Sequence, residues 1–140
     1  MKIIRSLSVL RENLKKLEDI SLIPTMGNLH EGHLSLIKEA KKLSKNIVLT
    51  IFINPIQFNS KHDLENYPRT LKQDINLLKD IGVVILFTPS TKDIFPVKIN
   101  LSYEMPIISN ELCGKTRASH FKGVITVIDR LFDLIKPSYA

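Results

Sequence analysis

The stretch Ile23-Pro24-Thr25-Met26-Gly27-Asn28-Leu29-His30-Glu31-Gly32-His33 joins a short apolar run, Ile20 to Ile23, to a helical pattern that extends to Leu43. This order predicts a strand, a turn and a helix. In an open α/β sheet such a turn lies at the carboxyl end of a strand, where ligands bind. It directs free backbone N–H groups and the positive end of a helix dipole toward an anion. We therefore expect a phosphate site here.

The two histidines of this stretch indicate which phosphate chemistry to expect. Neither a GxxxxGK[ST] P-loop nor a GxGxxG fingerprint occurs in the chain. His30 and His33 place both rings on one side of the first helical turn, where they can donate hydrogen bonds or protons to phosphoryl oxygens. Gly32 between them leaves space for a nucleotide against the backbone.

Two alternatives compete with this interpretation of the histidine pair. A zinc protease helix needs HExxH, with histidines four apart, whereas His30 and His33 are three apart. The spacing therefore predicts no protein metal site. Histidines that merely pack against or cap the helix are the second alternative, and the Pro/Gly turn after an apolar strand disfavours it.

Residues Pro24 to His33 resemble the nucleotide-binding signature of the pantoate–β-alanine ligase (pantothenate synthetase) family, nucleotidyltransferases marked by a HIGH-like His-x-Gly-His tetrapeptide. The tetrapeptide alone identifies only the superfamily, but the ten-residue string is more specific. The resemblance implies that His33 is the proton donor and that His30 contacts phosphate. It also implies an ATP-binding loop that consists of Met26, Gly27, Asn28, Leu29, His30, Glu31, Gly32 and His33.

A second segment follows the β-branched run Asn46 to Ile53, which is typical of a strand buried on both faces of a parallel sheet. Asn54-Pro55-Ile56-Gln57-Phe58 resembles the family's Asn-Pro-x-Gln-Phe segment. The resemblance implies that Gln57 binds pantoate, and its amide can both donate and accept hydrogen bonds. A solvent-exposed loop glutamine is the alternative.

A third segment lies in the predicted loop from Ser109 to Gly123. Its part from Leu112 onward resembles the family's Leu-Glu-Gly-x-x-Arg-Pro-Gly-His-Phe-x-Gly. The resemblance implies that His120 lines the pantoate pocket and that Arg117 binds a carboxylate or a phosphate. A helix-capping histidine and a surface arginine are the alternatives. The chain departs from the family pattern at three positions: Cys113, Ala118 and Ser119.

Three further polar residues near these motifs receive no catalytic role. Lys115 has no motif support, and the implied chemistry needs no nucleophile such as Cys113. Arg69, in a Tyr-Pro-Arg-Thr segment that is also similar to the family's, is interpreted as a structural or interface residue.

The rest of the chain predicts a Rossmann-like parallel sheet with helices on both faces, the HIGH-type nucleotidyltransferase fold. The apolar run Met1 to Ile4 is expected at an edge or as a packed arm, and Leu34, Ile37, Ala40 and Leu43 are expected to face the core. The other predicted elements are helices at Ser6–Leu17, His30–Leu43, Pro68–Asp80 and Gly123–Ile135, and strands at Ile20–Ile23, Asn46–Ile53 and Val83–Phe87.

Composition limits the class of protein. The 140 residues, 44% of them hydrophobic, suffice for one domain with a core. The charge of +6 comes from scattered lysines with acids between them, which indicates a solvated surface rather than a nucleic-acid interface. Without a long apolar run or a signal-peptide core, the sequence predicts a cytoplasmic protein with no membrane partner. The single cysteine fits a reducing compartment.

The resemblance implies the ATP-dependent condensation of (R)-pantoate with β-alanine to pantothenate. It proceeds through pantoyl adenylate and releases pyrophosphate and AMP. The resemblance also implies Mg²⁺ on the ATP phosphates and a homodimer. It covers residues 1–140 but only about the first half of a complete enzyme, so the domain is expected to be incomplete, without the family's C-terminal part. A catalytically impaired ATP- or pantoate-binding module and another His-x-Gly-His nucleotidyltransferase remain as alternatives.

Overall fold

Four parallel strands form one sheet in a computed structural model that describes residues 1–97, 103–111, 113–117 and 119–140. The strands are β1 (Lys2–Ile4), β2 (Ile20–Thr25), β3 (Asn46–Ile51) and β4 (Val83–Phe87), in the spatial order β1-β4-β3-β2. β3 and β4 lie in the middle, as their nearly continuous apolar sequences predict. The parallel sheet confirms the predicted fold class, and β1 confirms that the N-terminal run is an edge strand.

Alternating strand residues build two separate cores, one on each face of the sheet. On one face, Leu22, Val48 and Ile85 pack beneath α1 (Leu7–Leu14) and α7 (His120–Ile135). On the other face, their sequence neighbours Ile23, Leu49 and Leu86 pack beneath α2 (Glu31–Leu43) and the end of α4 (Leu71–Leu77). Helices therefore cover both faces, as predicted.

The helix α2 starts one residue after its predicted start, because His30 is its N-cap. Ile37 and Ala40 face the core as expected, but the prediction for Leu43 was wrong, since this side chain is 57% exposed. Each helical residue advances by about 100°, so Leu43 lies at the margin of the stripe centred on Ile37 and Ala40.

The predicted helix Pro68–Asp80 was too long at both ends. A separate short helix, α3 (Lys61–Glu65), precedes it, and α4 begins at Leu71 after the N-cap Thr70. The guanidinium of Arg69 lies between them and donates to the carbonyls of Leu64, Glu65 and Tyr67 at 2.9–3.1 Å. These contacts close the C-terminus of α3 and support the structural interpretation of Arg69.

The segment expected as a loop from Ser109 to Gly123 is largely helical. Its first two residues end a 3₁₀ turn at Ile107–Asn110, α6 (Cys113–Thr116) follows that turn, and α7 already starts at His120. A short helix, α5 (Thr91–Ile94), lies earlier in the chain. The family departure at Ala118, and Leu112 at the start of the resembling stretch, lie outside the described residues.

The end of the chain lies against the outer edge of β2. Tyr139 bridges Ser21 in parallel, and the Leu22 N–H donates to the Tyr139 carbonyl at 2.8 Å. The N–H groups of Ser138 and Tyr139 both donate to the Ile20 carbonyl. Across the described residues, every helix is too short or too polar to cross a bilayer.

Candidate active site

A tight bend connects β2 to α2. The Thr25 hydroxyl donates to the Thr50 carbonyl at 2.8 Å and accepts from the Gly27 N–H at 3.1 Å. Gly27 and Asn28 both adopt left-handed backbone conformations, with φ of +82° and +54°. A Cβ at Gly27 would lie 3.1 Å from both Asp74 Oδ2 and Ile51 Cγ2, so the bend needs glycine here for conformation and for space.

The side chain of Asp74 joins this bend to α4. Its carboxylate is 1% exposed and accepts from the Asn28 N–H at 3.1 Å and from the Leu29 N–H at 2.9 Å. The Thr70 hydroxyl donates to the same carboxylate at 3.1 Å. A buried carboxylate requires such donors, because an ion without partners is costly to bury.

The two histidines cap the helix that carries them. His30 Nδ1 accepts from the Gly32 N–H at 3.1 Å, and His33 Nδ1 accepts from the His30 N–H at 3.4 Å. Their ring centroids are 4.2 Å apart. Because an accepting nitrogen carries no proton, each neutral ring carries its proton on Nε2, which is then available as a donor to a ligand.

The electrostatic surroundings favour a neutral His33. Burial lowers its pKa below 6.5, the neighbouring His30 lowers it further, and the Asp74 carboxylate acts in the opposite direction. His33 is partly buried whereas His30 is exposed. At neutral pH, His33 is therefore an uncharged ring whose Nε2–H can donate a hydrogen bond.

One expectation for this loop was wrong. The N–H groups of Gly27, Asn28 and Leu29 are not free for an anion, because each donates to an acceptor within the protein. Gly32 is exposed, and a Cβ there would lie 2.8 Å from Cε1 of the His30 ring. Space for a nucleotide against the Gly32 backbone stays a prediction.

Gln57 lies in a 3₁₀ turn, Pro55–Gln57, that follows β3, and its side-chain amide is held on both sides. The residue is 7% exposed, its Nε2 donates to the Met26 sulfur at 2.9 Å, and its Oε1 accepts from Asn54 Nδ2 at 2.9 Å. Asn54 also donates to the Gly123 carbonyl at 3.0 Å, which ties this turn to α7. The alternative of a solvent-exposed loop glutamine is therefore wrong.

A cavity of about 250 Å³ lies between the bend, Gln57 and α7. The thioether of Met26, the imidazole of His33 and the amide of Gln57 line this cavity beside an apolar wall. The lining comprises Pro24, Thr25, Met26, Gly27, His33, Phe52, Gln57, Tyr67, Val124, Val127, Ile128 and Leu131. Such a cavity, apolar with few convergent polar groups, is typical of a small-molecule site.

A neighbouring cavity of about 300 Å³ contains the other two predicted substrate ligands. Gln57, Arg117 and His120 line it, together with Met26 and Tyr67, which also line the first cavity. His120 Nδ1 lies 3.1 Å from the Gln57 carbonyl oxygen, whereas Arg117 is exposed. The structure thus brings all three predicted residues to one place. Cys113 and Lys115, both exposed on α6, line neither cavity.

Comparison with known families identifies this arrangement. A family description, Pantoate-beta-alanine ligase, matches residues 2–140. The chain belongs to the pantoate–β-alanine ligase family. Its curated relatives include the pantothenate synthetases of Neisseria meningitidis serogroup C, 46% identical over the whole chain, and of Idiomarina loihiensis, 43% identical. The chain spans 51% and 50% of these ligases, about half their length.

Solved structures of the ligase family share the fold described above. A Francisella tularensis pantoate–β-alanine ligase, complexed with β-γ ATP and β-alanine, superposes with a TM-score of 0.92 at 41% identity. The pantothenate synthetase of Thermus thermophilus superposes with a TM-score of 0.90 at 36% identity. Each comparison covers 98% of this chain, and 54% and 50% of the respective ligase chain.

Two polar residues of this site, Asp74 and Asn54, receive no role from the sequence patterns. Asp74 could have been found, because Leu71, Asp74, Ile75 and Leu78 follow the i, i+3, i+4, i+7 pattern of an inward helix face. A carboxylate in that stripe indicates a buried ion with partners. Among the described residues, no group of three or more His, Cys, Asp and Glu side chains gathers as a metal site.

Proposed function

We propose that this chain forms the pantoate-binding and ATP-positioning part of a pantoate–β-alanine ligase, in which ATP and pantoate react to pantoyl adenylate. The observation that carries the proposal is the cavity where His33, Met26 and the fixed amide of Gln57 meet against the apolar wall of α7. β-Alanine then converts the adenylate to pantothenate.

The proposed reaction has two steps, adenylation of pantoate and transfer of the pantoyl group to β-alanine. A pantoate carboxylate oxygen attacks the α-phosphorus of ATP, the bond to the bridging oxygen breaks, and its electron pair leaves with pyrophosphate. The β-alanine amine then attacks the activated acyl carbon, loses a proton, and expels AMP. The protein contributes alignment and stabilisation of the displaced charge.

The histidine pair suits the first step. The Nε2–H of His33 donates to the oxygen that gains charge as pyrophosphate leaves, and His30 contacts phosphate through its own Nε2–H. Support comes from the backbone contacts that fix both Nδ1 atoms as acceptors. The remaining loop residues of the proposed ATP site are Met26, Gly27, Asn28, Leu29, Glu31 and Gly32. Mg²⁺ would be held by the ATP phosphates rather than by a protein cage, and it would offset their negative charge.

The cavity suits pantoate because the acid combines polar groups with a branched carbon skeleton. The Gln57 amide binds a hydroxyl or the carboxylate, and Val124, Val127 and Ile128 contact the methyl groups. Arg117 and His120 bind substrate from the neighbouring cavity, where a guanidinium matches a carboxylate. The Francisella relative, complexed with ATP and β-alanine ligands, supports these two molecules as the other substrates.

Pantoate-dependent exchange of pyrophosphate into ATP tests this proposal. We expect exchange that requires pantoate and that His33→Ala suppresses, with Lys61→Ala on α3 as an exposed control that lines neither cavity. A chain extended through the segment present in the longer relatives is expected to make pantothenate and to show the same loss. Equal turnover with His33→Ala would contradict the role of His33.

The same assay distinguishes the ligase from a binding module that holds ATP or pantoate without turnover. Binding of pantoate in calorimetry without pyrophosphate exchange would select the module. Exchange driven by a different carboxylate would instead select another nucleotidyltransferase.

The cellular setting belongs to the same proposal. We infer a cytoplasmic protein that forms a homodimer, on the strength of its family resemblance. Light scattering coupled to size-exclusion chromatography measures the assembly, and a monomer mass at all concentrations would contradict the homodimer.

A further inference from the structure

Backbone N–H groups of the bend after β2 donate to a carboxylate inside the protein. The Asp74 carboxylate accepts both the Asn28 and the Leu29 N–H groups, at 3.1 and 2.9 Å, and is 1% exposed. In a bend after a parallel strand, such amides are the groups that an incoming phosphate would reach. Here they point into the protein, toward α4.

We propose that Asp74 is the positioning residue of the ATP loop, an internal carboxylate that takes the two backbone donors of the bend and leaves the imidazole pair to meet the phosphates. As far as phosphate is concerned, this inference rests on the proposed function. Asp74 itself touches no substrate, since it acts through Asn28 and Leu29.

Two neighbours of the carboxylate make the position specific. Thr70, the N-cap residue of α4, donates its hydroxyl to Asp74 Oδ2 at 3.1 Å and so orients the carboxylate. On the other side, a Cβ at Gly27 would lie 3.1 Å from the same oxygen, so the bend fits directly against it. Both oxygens are engaged, which a neutral amide at this position could not reproduce.

The same carboxylate acts on the histidine that follows the bend. Asp74 raises the pKa of His33 against the larger effect of burial and the effect of His30. One residue thus sets both the backbone shape of the loop and the charge environment of its half-buried imidazole.

Amide hydrogen exchange on the intact 140-residue chain tests this role. Asp74→Asn retains size but places an NH₂ group against a backbone donor. We expect exchange at Asn28 and Leu29 to accelerate about tenfold or more, because charge-assisted bonds to buried groups are among the stronger ones. The control is Asp133→Asn, an exposed carboxylate of α7, which is expected to leave both amides unchanged.

A titration of His33 by NMR separates positioning from simple packing. The pKa of His33 is expected to fall in Asp74→Asn, because the opposing charge is removed, and to stay in place in Asp133→Asn. Unchanged exchange at Asn28 and Leu29 in a folded Asp74→Asn variant would overturn the proposal, as would an unchanged His33 titration.

If Asp74→Asn accelerates exchange throughout the chain, the milder variant Thr70→Val tests the role of Asp74. Thr70→Val keeps the carboxylate and removes one donor, so a smaller acceleration confined to Asn28 and Leu29 supports the role, and none overturns it. ATP binding to the unaltered chain is measured separately by calorimetry. Absence of ATP binding there contradicts the proposed function, while the exchange and titration data still decide the role of Asp74.

Discussion

The Met26–His30 bend and a second segment, which contributes Arg117 and His120, border one cavity, that of about 300 Å³, but the protein holds them differently. In the bend, the backbone N–H groups of Gly27, Asn28 and Leu29 all donate to acceptors within the fold. In the second segment, His120 contacts the Gln57 carbonyl whereas Arg117 is exposed. The bend thus has its shape before any ligand binds, whereas the Arg117 side chain is exposed to solvent.

The largest expected effect on stability is at Gly123, where α7 packs against the 3₁₀ turn Pro55–Gln57. A Cβ at Gly123 would lie 2.6 Å from the Ile56 carbonyl oxygen, and backbone atoms cannot rotate away. We expect Gly123→Ala to lower the free energy of unfolding by about 3 kcal/mol, measured by urea denaturation, since overpacking of a tight contact strains both elements. Gly32→Ala is the control, because the His30 ring that faces it can rotate aside.

A smaller effect is expected within the bend itself. Gly27→Ala forces a side chain into a left-handed conformation at φ +82°, which costs about 1–2 kcal/mol in addition to the two 3.1 Å contacts. Urea denaturation measures this loss. Asn28→Gly serves as the opposite change, since glycine tolerates the positive φ of that residue, and equal losses in both variants would contradict a conformational origin.

The fold could be predicted from sequence more completely than the site. β3 and β4 were recognisable because burial on both faces leaves continuous apolar runs. Gln57 and His120 were placed together only through family resemblance, since periodicity carries no information about contacts between residues 63 positions apart. The internal bonds of the bend were unpredictable, because backbone donors have no sequence signal and their acceptor, Asp74, lies more than 40 positions away.

Acid pH is expected to loosen the bend before the rest of the fold. The pKa of His33 is below its unfolded value of 6.5, so the unfolded chain binds more protons as pH falls. The stabilisation is present above pH 6.5 and is lost as pH drops through the folded pKa. Urea midpoints between about pH 8 and pH 5 measure it, and His33→Gln should reduce this slope. His30 and Asp74 also shift the pKa of His33, so the pH dependence is compared with variants that lack each of them.

The smallest effect on stability is expected at Arg117. Because its side chain is exposed, Arg117→Ala should change the free energy of unfolding by less than about 0.5 kcal/mol, as surface substitutions usually do. Pantoate affinity, measured by calorimetry, should nevertheless fall. Lys115→Ala removes an equal charge two residues away, and a matching loss of affinity there would show that general charge, not Arg117, is responsible.

Pro24 has a consequence for how this sheet can grow. The Leu22 N–H points away from β3 to the Tyr139 carbonyl, and side alternates along a strand, so the nitrogen of Pro24 points the same way. That nitrogen has no hydrogen to offer. The ladder between β2 and β3 therefore loses no hydrogen bond to Pro24, while a strand that pairs along the other side of β2 finds no donor at this position.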